Sequence, residues 1–592
     1  MLALGTVSPS LLVSISRIAM KQESNTRPSV FKWWGRRPVA IVRAFLALAA
    51  GASEEDALGV ALGRKESFER VRRLARGRRL LDPFAGSGVI PVEASRLGYT
   101  AVGQDVNPYA VAVAEAYAEL CMGGCKAKSE CLWGSLTRAW GRIRGLWCRG
   151  DSCIVHVLLA RCPPCTAPVW VSSARSGSSA KRALVLTEDY SLEWRDPGDL
   201  SPGAPRIPLP AGLPQEAPGY VAYALEYYRR GARRWVSLAS RDKESVEWRR
   251  FLEETARVAK PLAASSGGVR VPLMEETRRL YRHGVTTTLG LFTWRQAATY
   301  ALVAREAWAC RREIALAIAN AMQSGSLLAM YYQPMAKVNP GLVVKSYWLP
   351  RNPVELNPLA NTRMPHPPAP SARPVGRGTL VSIVQRYGNA CWNGNGCVEP
   401  PTLLLGDSTR TVPGSSYDII ATDPPYPGLH TYRDMSLLYA HASMLAGLGV
   451  PLEWSEVDTR DPESYKAGVL SAMKKSLSKA VKGGVVLLFI SSPSPEGIST
   501  IAELLEELAR LGIGYEAIYP VIAENPGALG RSASRVVFVV AGRLGGSTRK
   551  GFLDPLSLAW RIAREVGLGE REARYAGLVS SVLSDALSIR LA

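Results

Sequence analysis

The segment from Arg78 to Leu120 constrains this chain most. Arg78-Arg-Leu-Leu-Asp82 reads as a short buried strand ending in an acid, Pro83-Phe-Ala-Gly-Ser-Gly88 as a turn, and Val89 to Leu97 as a helix. Tyr99-Thr-Ala-Val-Gly-Gln-Asp105 gives a second strand with an acidic end, and Pro108 to Leu120 a second helix. Strand, turn, helix and strand in this order predict a βαβ unit, and so a parallel sheet covered by helices. Gly86 and Gly88 let the backbone approach a ligand with no Cβ in the way. The helix that follows offers free N–H groups at the same point. A carboxylate about 20 residues beyond such a turn is placed to accept hydrogen bonds from ribose hydroxyls, and Asp105 stands there. The turn by itself also suits a dinucleotide, or is only a tight turn.

A second string has a chemistry of its own. Ser416-Tyr-Asp-Ile-Ile-Ala-Thr-Asp423 is an apolar strand ending in an acid, followed by Pro424-Pro-Tyr426. An amine conjugated to an aromatic ring is a poor nucleophile because its lone pair is delocalised. A carboxylate that accepts one N–H, beside a carbonyl that accepts the other, draws the nitrogen toward sp³ character. Asp423 and the carbonyl of Pro424 fit that pair, Pro424 and Pro425 fix the backbone that aims it, and Tyr426 can stack on the ring. The bland alternative is a rigid turn after a strand.

Both strings resemble those of a known enzyme class. Asp82-Pro-Phe-Ala-Gly-Ser-Gly88 resembles the cofactor turn of amino-methyltransferases, and Asp423-Pro-Pro-Tyr426 is similar to the motif of their adenine-specific members. Arg27-Pro-Ser-Val-Phe-Lys-Trp-Trp-Gly-Arg-Arg-Pro38 resembles the opening signature of the DUF1156 family of adenine-specific DNA methylases, with Arg27 for the usual His and Gly35 for the usual Ala. Phe292-Thr-Trp-Arg-Gln296 and Val354-Glu-Leu-Asn-Pro358 resemble two interior signatures of that family, so the likeness runs in patches from about residue 15 to about 545.

The resemblance implies S-adenosylmethionine as cofactor, lined by Asp82, Pro83, Phe84, Gly86 and Gly88, with Asp105 on its ribose. It implies Asp407, at the end of Leu403-Leu-Leu-Gly-Asp407, on the adenine of the cofactor, although a surface turn explains that acid as well. The catalytic residues would be Asp423, Pro424, Pro425 and Tyr426, and the reaction methyl transfer to the exocyclic amine of a base, adenine N6 in DNA being favoured. An RNA base methylase, acting on a guanine or adenine amine, is the alternative within the class. A catalytically inactive nucleic-acid-binding accessory protein is the alternative outside it. Asp423→Ala separates enzyme from binder.

The implied fold is α/β, a doubly wound Rossmann-like methyltransferase sheet split by a large insertion. The expected divisions are 1–130 (cofactor half), 131–400 (insertion for target recognition), 401–545 (catalytic half) and 546–592 (helical tail).

Lys plus Arg number 72 against 51 Asp plus Glu, a formal charge of +21, which favours a polyanionic partner such as nucleic acid. Trp33, Trp34, Arg36 and Arg37 would form a stacking and phosphate-binding cluster if exposed, or a lid on the cofactor turn if buried. Arg295 and the stretch Tyr227-Tyr-Arg-Arg-Gly-Ala-Arg-Arg-Trp235 suit nucleic-acid contact too, as solvated faces also would.

No apolar run reaches the roughly 18 residues of a membrane span, Val39 to Ala50 being broken by Arg43, and no signal peptide is read, so the expected location is cytoplasmic. The ten cysteines are then thiols in the core, metal ligands, or disulfides if the source is a hyperthermophile. Cys162-Pro-Pro-Cys165 has zinc-pair spacing, with a hairpin of Ile154 to Ala160 and Pro168 to Ser172 around it; Cys148 with Cys153 is the best second pair for a structural zinc, and Cys121 with Cys125 competes. A decayed ribbon without metal, or a disulfide, is the alternative.

Overall fold

The computed structural model describes residues 7–22, 30–176, 179–200, 206–274, 276–340, 347–376, 378–391, 396–427, 432–449, 452, 454, 456–491, 495–523, 536–547, 561–562 and 565–566. They fall into two units: unit 1 is Met1–Cys125, Ala390–Arg433 and Glu453–Ala592, and unit 2 is Lys126–Asn389 with Asp434–Leu452. Arg27 and nearly all of the expected helical tail lie outside the described residues.

Among the described residues, unit 1 is built on a seven-stranded sheet. Its strands are β1 (Arg79–Asp82), β2 (Thr100–Asp105), β3 (Thr402–Leu405), β4 (Tyr417–Thr422), β5 (Ala480–Ile490), β6 (Ile513–Ile522) and β7 (Val536–Leu544), in the spatial order β3-β2-β1-β4-β5-β7-β6. From β3 to β5 the neighbours are parallel, while β7 runs antiparallel to β5 and β6. Val485 to Ile490 are all buried, as expected of a strand covered on both faces. The chain winds outward from β1 to β2 and β3, then crosses back to β4 on the other side. In open sheets of parallel strands such a reversal leaves a crevice at the carboxyl ends of the strands. The register aligns those ends: Asp82 lies opposite Gly103, Asp105 opposite Leu405, and Leu81 opposite Ile420.

The apolar run broken by Arg43 is the helix Val39–Ala49, and every residue of it is buried. Arg43 is accommodated because Glu93, on the helix Val89–Arg96, accepts from its Nε at 2.6 Å and its second nitrogen at 2.9 Å. Burial opposes charge on Glu93, but Arg43 and Arg96 outweigh it and hold the carboxyl down near about 2. No helix among the described residues is long and apolar enough to cross a membrane.

In unit 2 the strand Ser152–Arg161 pairs antiparallel with Tyr220–Arg229 on one side and Val354–Leu356 on the other. Trp170–Ser176 pairs instead with Ser179–Leu186, so the hairpin expected around Cys162 and Cys165 is not formed. Helix Leu437–Leu445, which follows the Asp-Pro-Pro-Tyr string in sequence, belongs to unit 2 as well, and its His441 ring meets the Thr288 hydroxyl at 2.7 Å.

Among the described residues no cysteine is free. Cys121 pairs with Cys397 and Cys125 with Cys391 in unit 1; Cys131 pairs with Cys310, Cys148 with Cys153 and Cys162 with Cys165 in unit 2. The four thiols expected on one zinc are therefore two disulfides. Cys153 is the second residue of the strand Ser152–Arg161 and Cys162 follows its end, so nine extended steps, about 30 Å, keep the pairs apart. The residues do not fit a zinc ribbon. The first two bridges join the points where the chain leaves unit 1 and re-enters it.

Candidate functional site

The carboxyl ends of β1, β2 and β4, with the loop after β3, open into one cavity of unit 1. Asp82, Pro83, Phe84, Gly86, Asp105, Asp407, Asp423, Pro424, Pro425 and Tyr426 all line it. Gly88 lies just behind the lining. Its φ is +76°, and a Cβ there would stand 2.6 Å from the Cβ of Ala114, so the turn and the helix Pro108–Met122 require glycine at this point. Gly86 is left-handed too, at φ +51°, with Trp33 Nε1 just 3.1 Å from where a Cβ would be.

Asp105 holds the turn in place. Its carboxylate accepts from the backbone N–H groups of Gly86 and Asn107, each at 2.8 Å. Burial raises its carboxyl to about 6 against those two donors. Each oxygen retains acceptor capacity for a hydroxyl.

Asp82 is the least satisfied acid of the site. Its Oδ1 accepts from the Thr422 hydroxyl at 2.6 Å and the Phe84 N–H at 3.1 Å, while Oδ2 is buried without a hydrogen-bond partner. Burial, reinforced by the nearby charges of Asp423 and Asp105, pushes the Asp82 carboxyl up to about 8. Several carboxylates in one recess make a site that favours a cation. Asp407 accepts from the N–H and hydroxyl of Thr409 at 2.9 and 2.6 Å, and Ser408 donates to the Pro83 carbonyl at 2.8 Å, tying the loop after β3 to the cofactor turn.

Asp423 forms an ion pair with Arg37, whose NH2 lies 2.7 Å from Oδ1; the Tyr426 hydroxyl reaches Oδ2 at 3.3 Å and the Gly35 carbonyl at 3.1 Å. Arg37 also donates to the Phe489 carbonyl at 3.1 Å and stands over the Tyr426 ring at 4.7 Å. Burial raises the Asp423 carboxyl to about 6, with Arg37 and Tyr426 opposing the rise.

The four residues Trp33, Trp34, Arg36 and Arg37 follow the lid alternative. Trp33 and Trp34 are buried; Trp33 stacks on Tyr432 with centroids 5.3 Å apart and planes 8° apart. Arg36 donates to the Phe31 carbonyl at 2.7 Å and the Ser87 hydroxyl at 3.3 Å, and burial lowers its pKa to about 10. These side chains pack within unit 1, where Trp33, Arg36 and Arg37 line the cavity, and they do not form an exposed surface cluster.

Arg295 is a second correction. It is fully buried in unit 2, with Glu355 at 2.5 Å and Glu216 at 2.6 Å, and so cannot meet a nucleic acid. Among the members of the cavity wall that sequence reading missed are Tyr432, Asn107 and Glu456, the last accepting from the Arg433 N–H at 3.1 Å. Asn107 had a local signal, an N-cap residue just before Pro108 with its side chain accepting from the Tyr109 N–H. Glu456 had none.

No family model matches the chain, and no curated protein matches it. Among solved structures, a crystal structure of a protein from Thermus thermophilus, named a "Putative DNA Modification Methylase", is similar to part of it. That likeness is 16% in sequence, covers 27% of this chain and 72% of the other, and has a TM-score of 0.14, which carries no argument about activity.

Proposed function

We propose that unit 1 is an S-adenosylmethionine-dependent methyltransferase acting on the exocyclic amine of a nucleic-acid base, adenine N6 in DNA being the favoured target. The supporting observation is that the cofactor-like turn and the Asp-Pro-Pro-Tyr string, more than 300 positions apart in sequence, line one cavity at the winding reversal of the sheet. The fold reading that goes with it is a doubly wound methyltransferase sheet interrupted by unit 2.

The residues present fit the cofactor. The unpartnered Asp82 Oδ2 is an acceptor aimed at no protein group, and the recess at Gly86 and Gly88 has no room for side chains. Asp82 would take the ammonium of the cofactor, Asp105 the ribose hydroxyls and Asp407 the adenine amine. The cofactor supplies an electrophilic methyl on a sulfonium. Asp423 and the Pro424 carbonyl accept the two N–H bonds of the target amine, and Tyr426 packs on the base. Holding the nitrogen in line with the methyl is most of the remaining catalysis. In a duplex the base must leave the stack to reach Asp423.

Arg37 is a positioning residue in this scheme, since an ionised Asp423 accepts an N–H much more strongly than the neutral acid does. Activity is expected to rise with pH through about 6, the value to which burial brings this carboxyl. Arg37→Met removes the main opposing charge, so the rise moves to higher pH. If the midpoint reaches about pH 8, kcat at pH 7 falls roughly tenfold, because only about a tenth of the carboxyl is then ionised. A variant profile that is merely scaled down, with its midpoint unchanged, would mean that Arg37 acts by packing alone.

The direct test is transfer of labelled methyl from S-adenosylmethionine to duplex DNA, single-stranded DNA, tRNA and rRNA, with products digested to nucleosides and identified by mass. N6-methyldeoxyadenosine is expected. Label in RNA guanine would keep the chemistry and overturn the substrate, and absence of cofactor binding by calorimetry would overturn the enzyme.

A further inference from the structure

Asp82 has a counterpart of opposite sign beside the same turn. Arg36 lines the cavity and is only partly exposed. Its Nε donates to the Ser87 hydroxyl at 3.3 Å and its Nη2 to the Phe31 carbonyl at 2.7 Å, both neutral acceptors. Among the described residues no acceptor takes the N–H groups of Nη1. Only Tyr109 and Tyr117 offset the desolvation of this guanidinium, and their hydroxyls are already used, on the Lys32 carbonyl and the Glu93 carboxylate. The other deeply placed arginines differ: Arg37 pairs with Asp423, Arg43 and Arg96 with Glu93, and Arg295 with Glu216 and Glu355. Withdrawing a guanidinium from water with no carboxylate beside it is costly. An anion that enters the cavity would offset that cost.

The placement selects the anion. Arg36 and Arg37 are neighbours in sequence but turn to different halves of the site, Arg37 to Asp423 and Arg36 to Ser87 in the cofactor-like turn. Ser87 stands just before the helix Val89–Arg96, whose first N–H groups favour negative charge at the same end. Asp82, with its own unpartnered Oδ2, stands at the start of this turn and accepts from the Phe84 N–H within it. The hydrogen-bond partners of Arg36 and of Asp82 do not include each other. One turn thus has an acid lacking a donor at its start and a guanidinium lacking an acceptor beside its end. An α-amino acid presents the matching pair, an ammonium and a carboxylate on one carbon. A phosphate of the nucleic acid would supply the anion without the ammonium, and it would arrive with the base on the side of Asp423.

We infer that Arg36 binds the carboxylate at the amino-acid end of the cofactor, so that Arg36 and Asp82 together read its zwitterion. The inference rests on the S-adenosylmethionine reading of the cavity and deepens it by naming a residue that sets cofactor specificity.

The test is calorimetric and uses the full chain. S-adenosylmethionine and its decarboxylated analogue, which keeps the ammonium, the sulfonium and the nucleoside, are each titrated into the parent and into Arg36→Met. The parent is expected to bind S-adenosylmethionine about ten- to a hundredfold more tightly than the analogue, the scale of a charge-assisted hydrogen bond. In Arg36→Met that preference is expected to collapse to a few-fold, because only the ligand with a carboxylate loses affinity. Arg36→Lys keeps the charge without the fork and is expected to recover part of the preference. The melting temperature of ligand-free Arg36→Met is not expected to fall, since the charge removed has no carboxylate partner. A parent that binds both ligands equally would overturn the inference. So would Arg36→Met with the parental ratio, whether both affinities stay as they were or fall together; a fall in both would mark Arg36 as a brace for the turn through Ser87. A parental ratio with weaker binding of duplex DNA would move Arg36 to a phosphate. If the parent binds neither ligand, the cofactor reading itself fails, an outcome distinct from binding with an unchanged ratio, which removes only the role of Arg36.

Discussion

Asp423→Ala is expected to reduce methyl transfer by about a thousandfold or more, the scale seen when a positioned acid–base or charge-stabilising group is removed, while the affinity for S-adenosylmethionine stays within a few-fold. The acids proposed to hold the cofactor are other residues: Asp82 and Asp105 hold the turn through Thr422, Gly86 and Asn107, and none of those bonds involves Asp423. The cost of the substitution therefore falls on the step that follows binding. One side effect has to be separated from it. Arg37 is 6% exposed and its carboxylate partner is Asp423, so Asp423→Ala leaves a buried guanidinium uncompensated and destabilises the fold. Arg37→Met combined with Asp423→Ala should restore much of the melting temperature and none of the activity. Recovery of activity in the double variant would mean that the single variant had failed through folding, and that Asp423 does not hold the amine.

The second large effect is on stability. Arg295→Ala is expected to destabilise the protein by about 3–5 kcal/mol, the usual cost of breaking a buried ion pair from one side. The loss is large because two carboxylates depend on this one guanidinium. Glu216 and Glu355 are both fully buried, and the remaining donors to Glu355 include the Thr293 hydroxyl at 2.5 Å. Burial, and then repulsion from Glu355, already hold the Glu216 carboxyl up at about 8 with Arg295 opposing. Because its folded pKa exceeds the unfolded value, Glu216 contributes most to stability at low pH, and the contribution falls as pH rises between about 4.5 and 8. Without Arg295 the Glu216 carboxyl is held higher still and that fall continues to higher pH, so the denaturation midpoint of Arg295→Ala should lie further below the parent at pH 8 than at pH 5. Urea melts at the two pH values measure this directly. A variant with parental stability and weakened DNA binding would reverse the assignment and return Arg295 to the surface.

The network around Arg295 also explains a pair of sequence signatures. Phe292 to Gln296 and Val354 to Pro358 look like separate motifs in the chain. In the folded unit the first caps its own helix through Thr293 and Gln296, and both it and Arg295 bond to the second: Arg295 and Thr293 to Glu355, and Gln296 to the Leu356 carbonyl at 3.3 Å. The two segments are the two sides of one buried contact.

The residues that could be read from the sequence share one property: their placement follows from local chain geometry. An apolar strand with an acid at its end, then a turn and a helix, is legible because the period and the turn residues lie within about ten positions of one another. That is why Asp82, Gly86, Gly88, Asp105 and Asp423 could be picked out one by one, whereas Asp407 came from the resemblance, and the parallel register then carries Asp82, Asp105 and Asp423 to the same edge. What tertiary structure alone decided are pairings between distant segments. Arg37 meets Asp423 across 386 positions, and Cys121 meets Cys397 across 276. Neither carries a local pattern, because the energy of a buried ion pair or a cross-link depends on what the rest of the fold brings alongside. The same reason accounts for the cysteines read as zinc ligands: CxxC spacing lets two thiols meet, but convergence of four is a property of strand length and pairing, and here one extended strand holds them apart. Exposure is decided in the same way. Arg295 and Arg230 are both arginines near aromatic residues, and only the packing of unit 2 makes one the centre of a buried network and the other the tip of a hairpin.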